Sequence, residues 1–296
     1  MTTFTITPDT PFCLAAAAGF GFGPKLGSPD PAAELRLAFV SDDLRGQAAV
    51  HLTQCGDGTL AASVVGGADP EQVKRQVCRI LCLDHPGTQW LAVGQRDPVI
   101  GELQEAHPGF RPVLFHSPYE AAAWSIIAAR RRRSQAVAIR TRLAEAFGRG
   151  FVAGGEPIAA FPTPEQLLAV QEFRGLDPTR IGRLHGVARA ALDGALDPQR
   201  LAALDAAEAF KEVQKIPGIG PTYGTLIVVR ATGATDALTF NEPRLGSYAA
   251  RFYNTGPEPL AAPQLEAIAE RWRPFRTWAA VLIRVAGDSG VKVTQP

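Results

Sequence analysis

A short bend between two helical runs constrains the fold of this chain more than any other stretch. The sequence KIPGIGPTYG covers residues 215–224, and apolar residues recur at helical spacing both before it, in AAEAFKEVQ, and after it, in TYGTLIVVRA. Pro217 ends the first run, because proline has no amide hydrogen to continue a helix. The gap is too short for anything but a tight hairpin between two helices.

Two glycines give this bend its chemistry. Gly218 and Gly220 adopt backbone conformations that other residues resist, and their amides precede the second helix, where unpaired N–H groups and the helix dipole attract an anion. Lys215 adds a positive charge beside them. A bare G-x-G would indicate an ordinary loop, but IPGIG with a helix on each side favours a backbone site for a phosphate.

The length and composition limit the number of domains and the kinds of function that the chain can have. The chain has 296 residues, of which 46% are hydrophobic, so it is long enough for about two domains with a sizeable core. Its formal net charge is only +1, so any binding to nucleic acid must depend on local charge. We find no apolar run of about 20 residues and no secretory signal, and we expect a cytoplasmic protein.

The four cysteines all lie in the first third of the chain. Cys78 and Cys82 are one helical turn apart in QVCRILCLD, which has the pattern of an amphipathic helix, so we expect buried apolar thiols and no metal site. No cluster of four cysteines follows the glycine hairpin, which excludes an iron–sulfur cluster there.

Residues 1–110 are predicted to form an antiparallel sheet domain with helices. ELRLAFVSDD, QAAVHLTQC and TLAASVVGG have the alternation or β-rich composition of strands, and DDLRG and GDG between them are turn signals. PEQVKRQVCRILCL and DPVIGELQEAH then have helical spacing. An antiparallel sheet covered by helices on one face fits this order, and HPGFRP is the predicted linker.

Residues 111–296 are predicted to form an all-helical domain. Each of Ser117, Thr163, Asp177 and Asp197 is a capping residue followed directly by proline, which is typical of a helix start. A run of four arginines begins at Arg130, and the apolar spacing slips in phase across it. Either one long helix has a charged flank there or two helices meet at an arginine-rich turn, and we favour the turn because four successive arginines would drive at least one into the core.

Several motifs together resemble a known family. FHSPYEAAAWSIIAA, IPGIGP, NEPRL and ERWRPFRTWAAVLI occur in the order and approximate spacing of the DNA-3-methyladenine glycosylase II family, in the helix-hairpin-helix DNA glycosylase superfamily. The resemblance covers residues 110–287 strongly and identifies the chain as a divergent member. It implies an α+β fold: a TATA-box-binding-protein-like antiparallel sheet domain, then a helical domain with the helix-hairpin-helix at 206–232 and a catalytic helix start at 241–252.

The resemblance also implies an activity. Members of the family excise alkylated bases from duplex DNA in base-excision repair, and they flip the target nucleotide into a pocket between the domains. On this basis the expected DNA contacts of the hairpin are Lys215, Gly218, Ile219, Gly220 and Thr222. A monovalent cation on the hairpin carbonyls is an optional addition, no cofactor is required, and we expect a monomer whose partner is damaged double-stranded DNA.

The catalytic carboxylate of the family is an aspartate at the start of the helix after the hairpin, and its position here falls on Glu242. Pro243 suits a first helical position, while glutamate is a poor cap, so a purely structural role would favour another residue. A carboxylate there stabilises the oxocarbenium charge that develops on the sugar. Thr222 stands where bifunctional relatives carry a nucleophilic lysine, so we expect no strand cleavage.

The chain departs from the best-known members at the base pocket and at the wedge that enters the DNA stack. Pocket aromatics of the family are replaced, one of them by Arg284, and Trp124 and Tyr223 are the candidate aromatics nearby. The wedge falls on Arg130 and Arg131, and together with Arg132 they are predicted to contact DNA; a solvated basic face is the alternative. An electron-rich cage for a cationic base is missing at the replaced positions.

Two other functions stay open from the sequence. A catalytically impaired helix-hairpin-helix DNA-binding protein would keep the hairpin and lose the chemistry, which the glutamate in place of aspartate and the missing cage favour. A small-molecule or regulatory module would use the sheet domain, for which the glycine run GFGFGP is weak support.

Overall fold

Four antiparallel strands form the N-terminal sheet of the protein, whose computed structural model describes residues 2–19, 34–238 and 243–291. The strands are β1 (Thr2–Ile6), β2 (Glu34–Val40), β3 (Gln47–Gln54) and β4 (Leu60–Gly66). They lie in the order β1-β4-β3-β2, and Leu37, Val50 and Val64 pair across the last three strands on one buried face. The three strands predicted from alternation are confirmed, and β1 adds a fourth.

Two helices cover this face of the sheet. They are α1 (Leu14–Gly19) and α2 (Pro70–Ile80), and α2 begins after Asp69, whose carboxylate accepts a hydrogen bond from the amide of Gln72. Val73 and Val77 of α2 are fully buried in one apolar cluster with the strands. The predicted helix over PEQVKRQVCRILCL is therefore confirmed, and its amphipathic spacing is what seals the sheet.

The next two helices pack against the C-terminal part of the chain. They are α3 (Gly87–Arg96), which the sequence did not predict, and α4 (Pro98–Ala106), which it did. Their buried residues share a core cluster with Trp272 and Trp278, both of which are buried. Asp97 at the junction accepts hydrogen bonds from the Tyr253 hydroxyl and from Nε1 of Trp272. The domain boundary at residue 110 stays a prediction.

The rest of the chain is mostly helical. Its helices are α5 (Pro118–Ala128), α6 (Arg133–Phe147), α7 (Pro164–Leu168), α8 (Pro178–Leu192), α9 (Pro198–Ala203), α10 (Ala206–Gln214), α11 (Pro221–Ala231), α12 (Pro243–Phe252), α13 (Ala262–Ala269) and α14 (Arg276–Ser289), with a 3-10 helix over Glu270–Trp272. All four predicted capping residues accept a hydrogen bond from a backbone amide at the start of their helix. The α+β fold class is therefore confirmed.

A β-hairpin interrupts the helices, which the all-helical expectation did not include. Its strands are β5 (Gly150–Ala153) and β6 (Glu156–Ala159), joined by Gly154 and Gly155 with φ of 57° and 81°. Two such residues make the type I′ turn whose twist suits a two-residue hairpin. Phe151 and Ala153 pack with Ala38 and Ala49 of the N-terminal sheet, so the hairpin covers the face opposite the helices.

The sheet domain holds the C-terminal end of α11. Arg79 of α2 is buried, and its guanidinium donates hydrogen bonds to the carbonyl of Ala231 (2.8 Å) and to the carboxylate of Asp42 (2.7 Å). A cation at this end of a helix also interacts favourably with the helix dipole. The second helix of the glycine hairpin is thus anchored at its far end by the other domain.

The thiols behave as the sequence predicts. Cys82 is fully buried and Cys78 is half-buried, and burial raises the pKa of Cys78 to about 11. Across the described ranges, no group of three or more His, Cys, Asp or Glu residues could hold a metal ion. Nor does any helix within those ranges have the length and apolarity needed to cross a membrane.

Candidate nucleic-acid interface and active site

The glycine bend joins α10 to α11, as the sequence predicts. Asp205 and Glu208 form a reciprocal capping box at the start of α10, and Lys215 caps its end. Gly220 is the capping residue of α11, and Pro221 occupies the first helical position. The bend is therefore a helix-hairpin-helix element, with both helices fixed by local signals in the sequence.

The bend is anchored at one residue and open at two. The side chain of Ile219 is only 4% exposed and lies in the core, and its amide donates to the carbonyl of Ile216 at 3.0 Å. Gly218 and Gly220 on either side are exposed, and within the described part of the chain their amides have no hydrogen-bond acceptor. Of the three predicted backbone donors, Gly218 and Gly220 are thus available to a ligand, and the amide of Ile219 is used within the turn.

The start of α11 adds further unpaired amides. The first hydrogen bond of this helix runs from the amide of Gly224 to the carbonyl of Gly220 (2.8 Å). The amides of Thr222 and Tyr223 precede it and have no partner within the helix. Thr222 is exposed, so its side chain and amide both face solvent at the predicted contact surface.

The two glycines differ in their surroundings. Gly218 has φ of +95°, and a Cβ built on it would lie 2.8 Å from Cδ of Arg183 and 2.9 Å from Cδ1 of Ile126. Gly220 has φ of −87°, and a Cβ built on it would meet nothing within 4 Å. Gly218 is therefore required by the fold, whereas the fold alone leaves room for a side chain at 220.

Lys215 is paired with a carboxylate. Its ammonium group contacts Glu212, which also accepts a hydrogen bond from Arg200 at 2.9 Å. The hydrogen bond from Lys215, followed by that from Arg200, lowers the pKa of Glu212. The cation that the sequence singled out at the bend is thus partly neutralised.

The run of arginines forms a turn between two helices, as the sequence favoured. Arg130 is exposed at the tip with φ of 55°, and Arg132 is exposed just before α6. Arg131 instead folds back, and its guanidinium donates to the carbonyls of Ile127 and Gly175. Arg130 and Arg132 are therefore free to meet DNA, while the contacts of Arg131 within the protein hold the turn.

Sequence reasoning missed two arginines on α8. Arg180 donates to the carbonyl of Ala129 at 3.1 Å and pairs with Asp177 at the start of its own helix. Arg183, one turn later, is exposed and lies beside Gly218. The spacing of three places both on one face of a helix, but only the packed structure shows that this face joins the arginine turn to the glycine bend.

Glu242 lies outside the described residues, as does the glycine run GFGFGP except for its first residue. The helix that follows Glu242 is described: α12 begins at Pro243, as the resemblance predicts. Asp288 of α14 fixes this helix start, since it accepts hydrogen bonds from Arg244 (3.0 Å) and from the Tyr248 hydroxyl (2.8 Å).

The three predicted pocket residues fall into two groups. Trp124 is 9% exposed and Tyr223 is half-buried against the same core cluster, where burial raises the pKa of Tyr223. Arg284 is on α14, outside that cluster, and donates to Asp288 at 3.1 Å. An acid therefore does pair with the arginine that would otherwise repel a cationic base.

The carbonyl groups of the bend are the donors for the predicted cation. Ile216 and its neighbours offer backbone oxygens, which suit a hard cation better than a transition metal. A monovalent cation at these carbonyls stays a prediction.

The chain is similar to known DNA glycosylases in sequence and in fold. No family model matches the chain. DNA-3-methyladenine glycosylase 2 of Escherichia coli (strain K12) is 28% identical over 188 residues, which span 62% of this chain and 63% of that relative. The match therefore covers somewhat less than two thirds of the relative.

Solved structures show the same fold over more of the chain. The 3-methyladenine DNA-glycosylase from Archaeoglobus fulgidus is 21% identical with a TM-score of 0.76, and the alignment covers 98% of this chain and 100% of that one. An 8-oxoguanine glycosylase/lyase of Clostridium acetobutylicum, in complex with double-stranded DNA, is 17% identical with a TM-score of 0.61 over 83% and 86% of the two chains. The predicted resemblance and the fold are confirmed.

Proposed function

We propose that this chain, a divergent member of the helix-hairpin-helix DNA glycosylase superfamily, is a monofunctional DNA N-glycosylase that excises alkylated or otherwise damaged bases from duplex DNA. The observation that carries the proposal is the exposed glycine bend. Its free amides at Gly218 and Gly220 lie at the start of α11, where an anion is favoured. Such a site suits the sugar–phosphate backbone of DNA and reads no sequence.

The chemistry is assigned to Glu242. When the bond between C1′ of the sugar and the base nitrogen breaks, the electron pair leaves with the base and positive charge develops on the sugar. A carboxylate stabilises this charge and orients the water that adds to C1′, after which the water proton passes to the carboxylate or to solvent. A cationic alkylated base leaves neutral, whereas a base that was neutral takes up a proton from solvent as it leaves. The start of α12 favours the ionised form of a neighbouring carboxylate, which suits this electrostatic role.

The length of the Glu242 side chain determines the rate of base release that we expect. Its side chain is one methylene longer than that of the family aspartate, and a displacement of about 1 Å at a reacting centre can cost ~100-fold in rate. We therefore expect slow but measurable turnover. Thr222 has no amine to attack the sugar, so the product is an abasic site in an intact strand.

The pocket is proposed to have one apolar and one polar wall. Trp124 and Tyr223 share a core cluster and supply the apolar wall for the flipped base. Arg284, which shares Asp288 with Arg244, supplies a polar wall whose charge is only partly offset by the acid. This arrangement accepts a neutral damaged base at least as well as a cationic one.

The remaining assignments follow from the same proposal. One chain supplies both the bend and Glu242, so we propose that the enzyme acts as a monomer and needs no cofactor. We also propose that it works in the cytoplasm, in contact with chromosomal DNA. Size-exclusion chromatography with light scattering tests the oligomeric state.

The test of the proposed function is excision from a panel of lesions. Duplexes that carry alkylated purines, hypoxanthine or uracil are incubated with the protein and then heated in alkali, which cleaves abasic sites. We expect cleavage for at least one alkylated purine and none for the undamaged duplex of the same sequence. Salt-sensitive duplex binding without cleavage of any lesion would instead identify the catalytically impaired DNA-binding protein.

A further inference from the structure

An exposed arginine of α8, Arg183, lies beside the glycine bend. A Cβ built on Gly218 would lie 2.8 Å from Cδ and 3.3 Å from Nε of Arg183, so the base of this guanidinium group is packed directly against the bend. Arg183 is nevertheless exposed. Its charge therefore stands at the surface beside the two free amides.

The charge of Arg183 is not balanced by a carboxylate. Among the residues that the structure describes, Arg183 has no hydrogen-bond acceptor and no ion-pair partner. Lys215 on the other side of the bend is paired with Glu212, and Arg180 is paired with Asp177. Of these three cations, Arg183 is the one left free to attract an anion.

The helix that carries Arg183 is held in a defined place. One turn before Arg183, Arg180 donates a hydrogen bond to the carbonyl of Ala129 and so ties α8 to the arginine turn. The helix thus connects the two exposed surfaces predicted to meet DNA. The planar guanidinium fork of an arginine matches the oxygens of a phosphate.

We propose that Arg183 binds the DNA backbone on the same stretch of phosphates as the amides of Gly218 and Gly220. This inference rests on the proposed function, because it presupposes that the bend meets DNA. It adds an unpaired charged side chain to a site whose other predicted donors are main-chain amides, Thr222 and the partly neutralised Lys215. Arg183 supplies the full positive charge at this site and therefore much of its salt dependence.

The test is the salt dependence of binding to an undamaged duplex. The dissociation constant is measured by fluorescence anisotropy over a series of NaCl concentrations for wild type, Arg183→Ala, Arg183→Lys and Arg189→Ala. Arg189 is exposed near the end of the same helix, about two turns away, and serves as the matched control. Thermal melting confirms that each variant is folded.

We expect Arg183→Ala to reduce the log–log salt slope by about 1 and to weaken binding at low salt roughly 5- to 10-fold. Arg183→Lys keeps the slope, since it keeps the charge, and Arg189→Ala matches wild type. A wild-type slope and affinity in Arg183→Ala overturns the inference alone, as does an equal loss in Arg189→Ala. Wild-type protein that binds no duplex overturns the proposed function with it.

Discussion

At the scale of single residues, the two glycines of the bend differ in what requires them: the fold requires Gly218, whereas Gly220 is open to a ligand. Gly218 has a positive φ and touches Arg183 and Ile126, so the folded chain itself demands glycine there. Gly220 has an ordinary φ and open space where a side chain would be. No steric contact requires glycine at 220, and its free amide leaves the start of α11 open to a ligand that approaches the backbone closely.

This difference makes a paired prediction. Gly220→Ala should lower the free energy of unfolding by no more than about 1 kcal/mol, because alanine is a poorer capping residue than glycine but its methyl group meets no other atom within 4 Å. It should weaken duplex binding, because the new methyl group occupies the open space in front of the amides. Urea denaturation and fluorescence anisotropy measure the two effects.

Gly218→Ala is the companion variant. It should lower the free energy of unfolding by about 1–3 kcal/mol, because alanine is strained at this φ and its methyl group would press on two side chains. Gly220→Ala that binds duplex as tightly as wild type would show that no phosphate approaches this part of the bend.

A second feature at the scale of single residues is the buried carboxylate of Glu120, which links α5 to strand β2 of the N-terminal sheet. Glu120 is 4% exposed and accepts hydrogen bonds from Arg140 (2.8 Å), from the amide of Val40 (3.1 Å) and from Nδ1 of His116 when that nitrogen carries a proton. Burial alone would raise the pKa of Glu120, but His116 and Arg140 outweigh it and lower the pKa to about 2.

The lowered pKa predicts a pH dependence of stability. Because the folded value lies below the ordinary value of 4.5, the contribution of Glu120 is complete above about pH 5 and is lost as the pH falls towards 2. Glu120→Gln should cost about 3 kcal/mol near neutral pH, since it leaves Arg140 buried without its acid. Urea denaturation near pH 6 and pH 3 should show the difference from wild type shrinking on acidification, and a constant difference would contradict the assignment.

At the scale of elements, the packing of α14 on α12 places the helix start that follows Glu242. A Cβ built on Gly287 of α14 would lie 2.2 Å from a ring carbon of Tyr248, so the helix and the ring approach too closely for any other residue. Asp288 next to it accepts hydrogen bonds from Arg244 and Tyr248 of α12. The orientation of α12 therefore depends on these two neighbouring residues of α14.

Two glycine substitutions test this contact. Gly287→Ala should lower the free energy of unfolding by about 1–3 kcal/mol, because the added methyl group overpacks the contact with Tyr248. Gly186→Ala in α8 is the matched control: a Cβ there meets nothing within 4 Å, so alanine should stabilise the helix by about 0.5–1 kcal/mol. Equal effects of the two substitutions in urea denaturation would show that α12 and α14 do not pack as described.

The elements that sequence patterns predicted share a strong local signal. The helices after Ser117, Thr163, Asp177 and Asp197 begin where a capping side chain meets a proline, and both features act within one turn. The hairpin of β5 and β6 was missed although Gly154–Gly155 is a turn signal, because its strands are short and are fixed by packing on a sheet about a hundred residues away in the chain.

The candidate site likewise has a part that the sequence predicted and a part that it could not predict. The glycine bend is a local motif, and its sequence predicted the hairpin and its exposed amides. The placement of Arg183 beside Gly218 and of Asp288 beside Arg244 joins residues that are far apart in the chain. No spacing rule within one element could predict these contacts, because they depend on how helices pack.

At the scale of the whole molecule, the surfaces proposed to contact DNA are the bend, the arginine turn and α8. The net charge is only +1, so the proposed binding must depend on the local charge and free amides of these surfaces and not on a general field. The sheet domain contributes from the other side, since Arg79 fixes the C-terminal end of α11 while the N-terminal end faces solvent. The hairpin is thus rigid where it joins the protein and open where it would meet DNA.

The central claim is that the surfaces proposed to contact DNA deliver a damaged nucleotide to the carboxylate of Glu242. The most direct measurement is the single-turnover rate of base release from a duplex with one alkylated purine, at saturating enzyme, for wild type, Glu242→Asp and Glu242→Gln. We predict that Glu242→Gln slows release by at least about 100-fold without weakening duplex binding, and that Glu242→Asp, which keeps the charge, still releases the base. Release by Glu242→Gln at the wild-type rate would contradict the account.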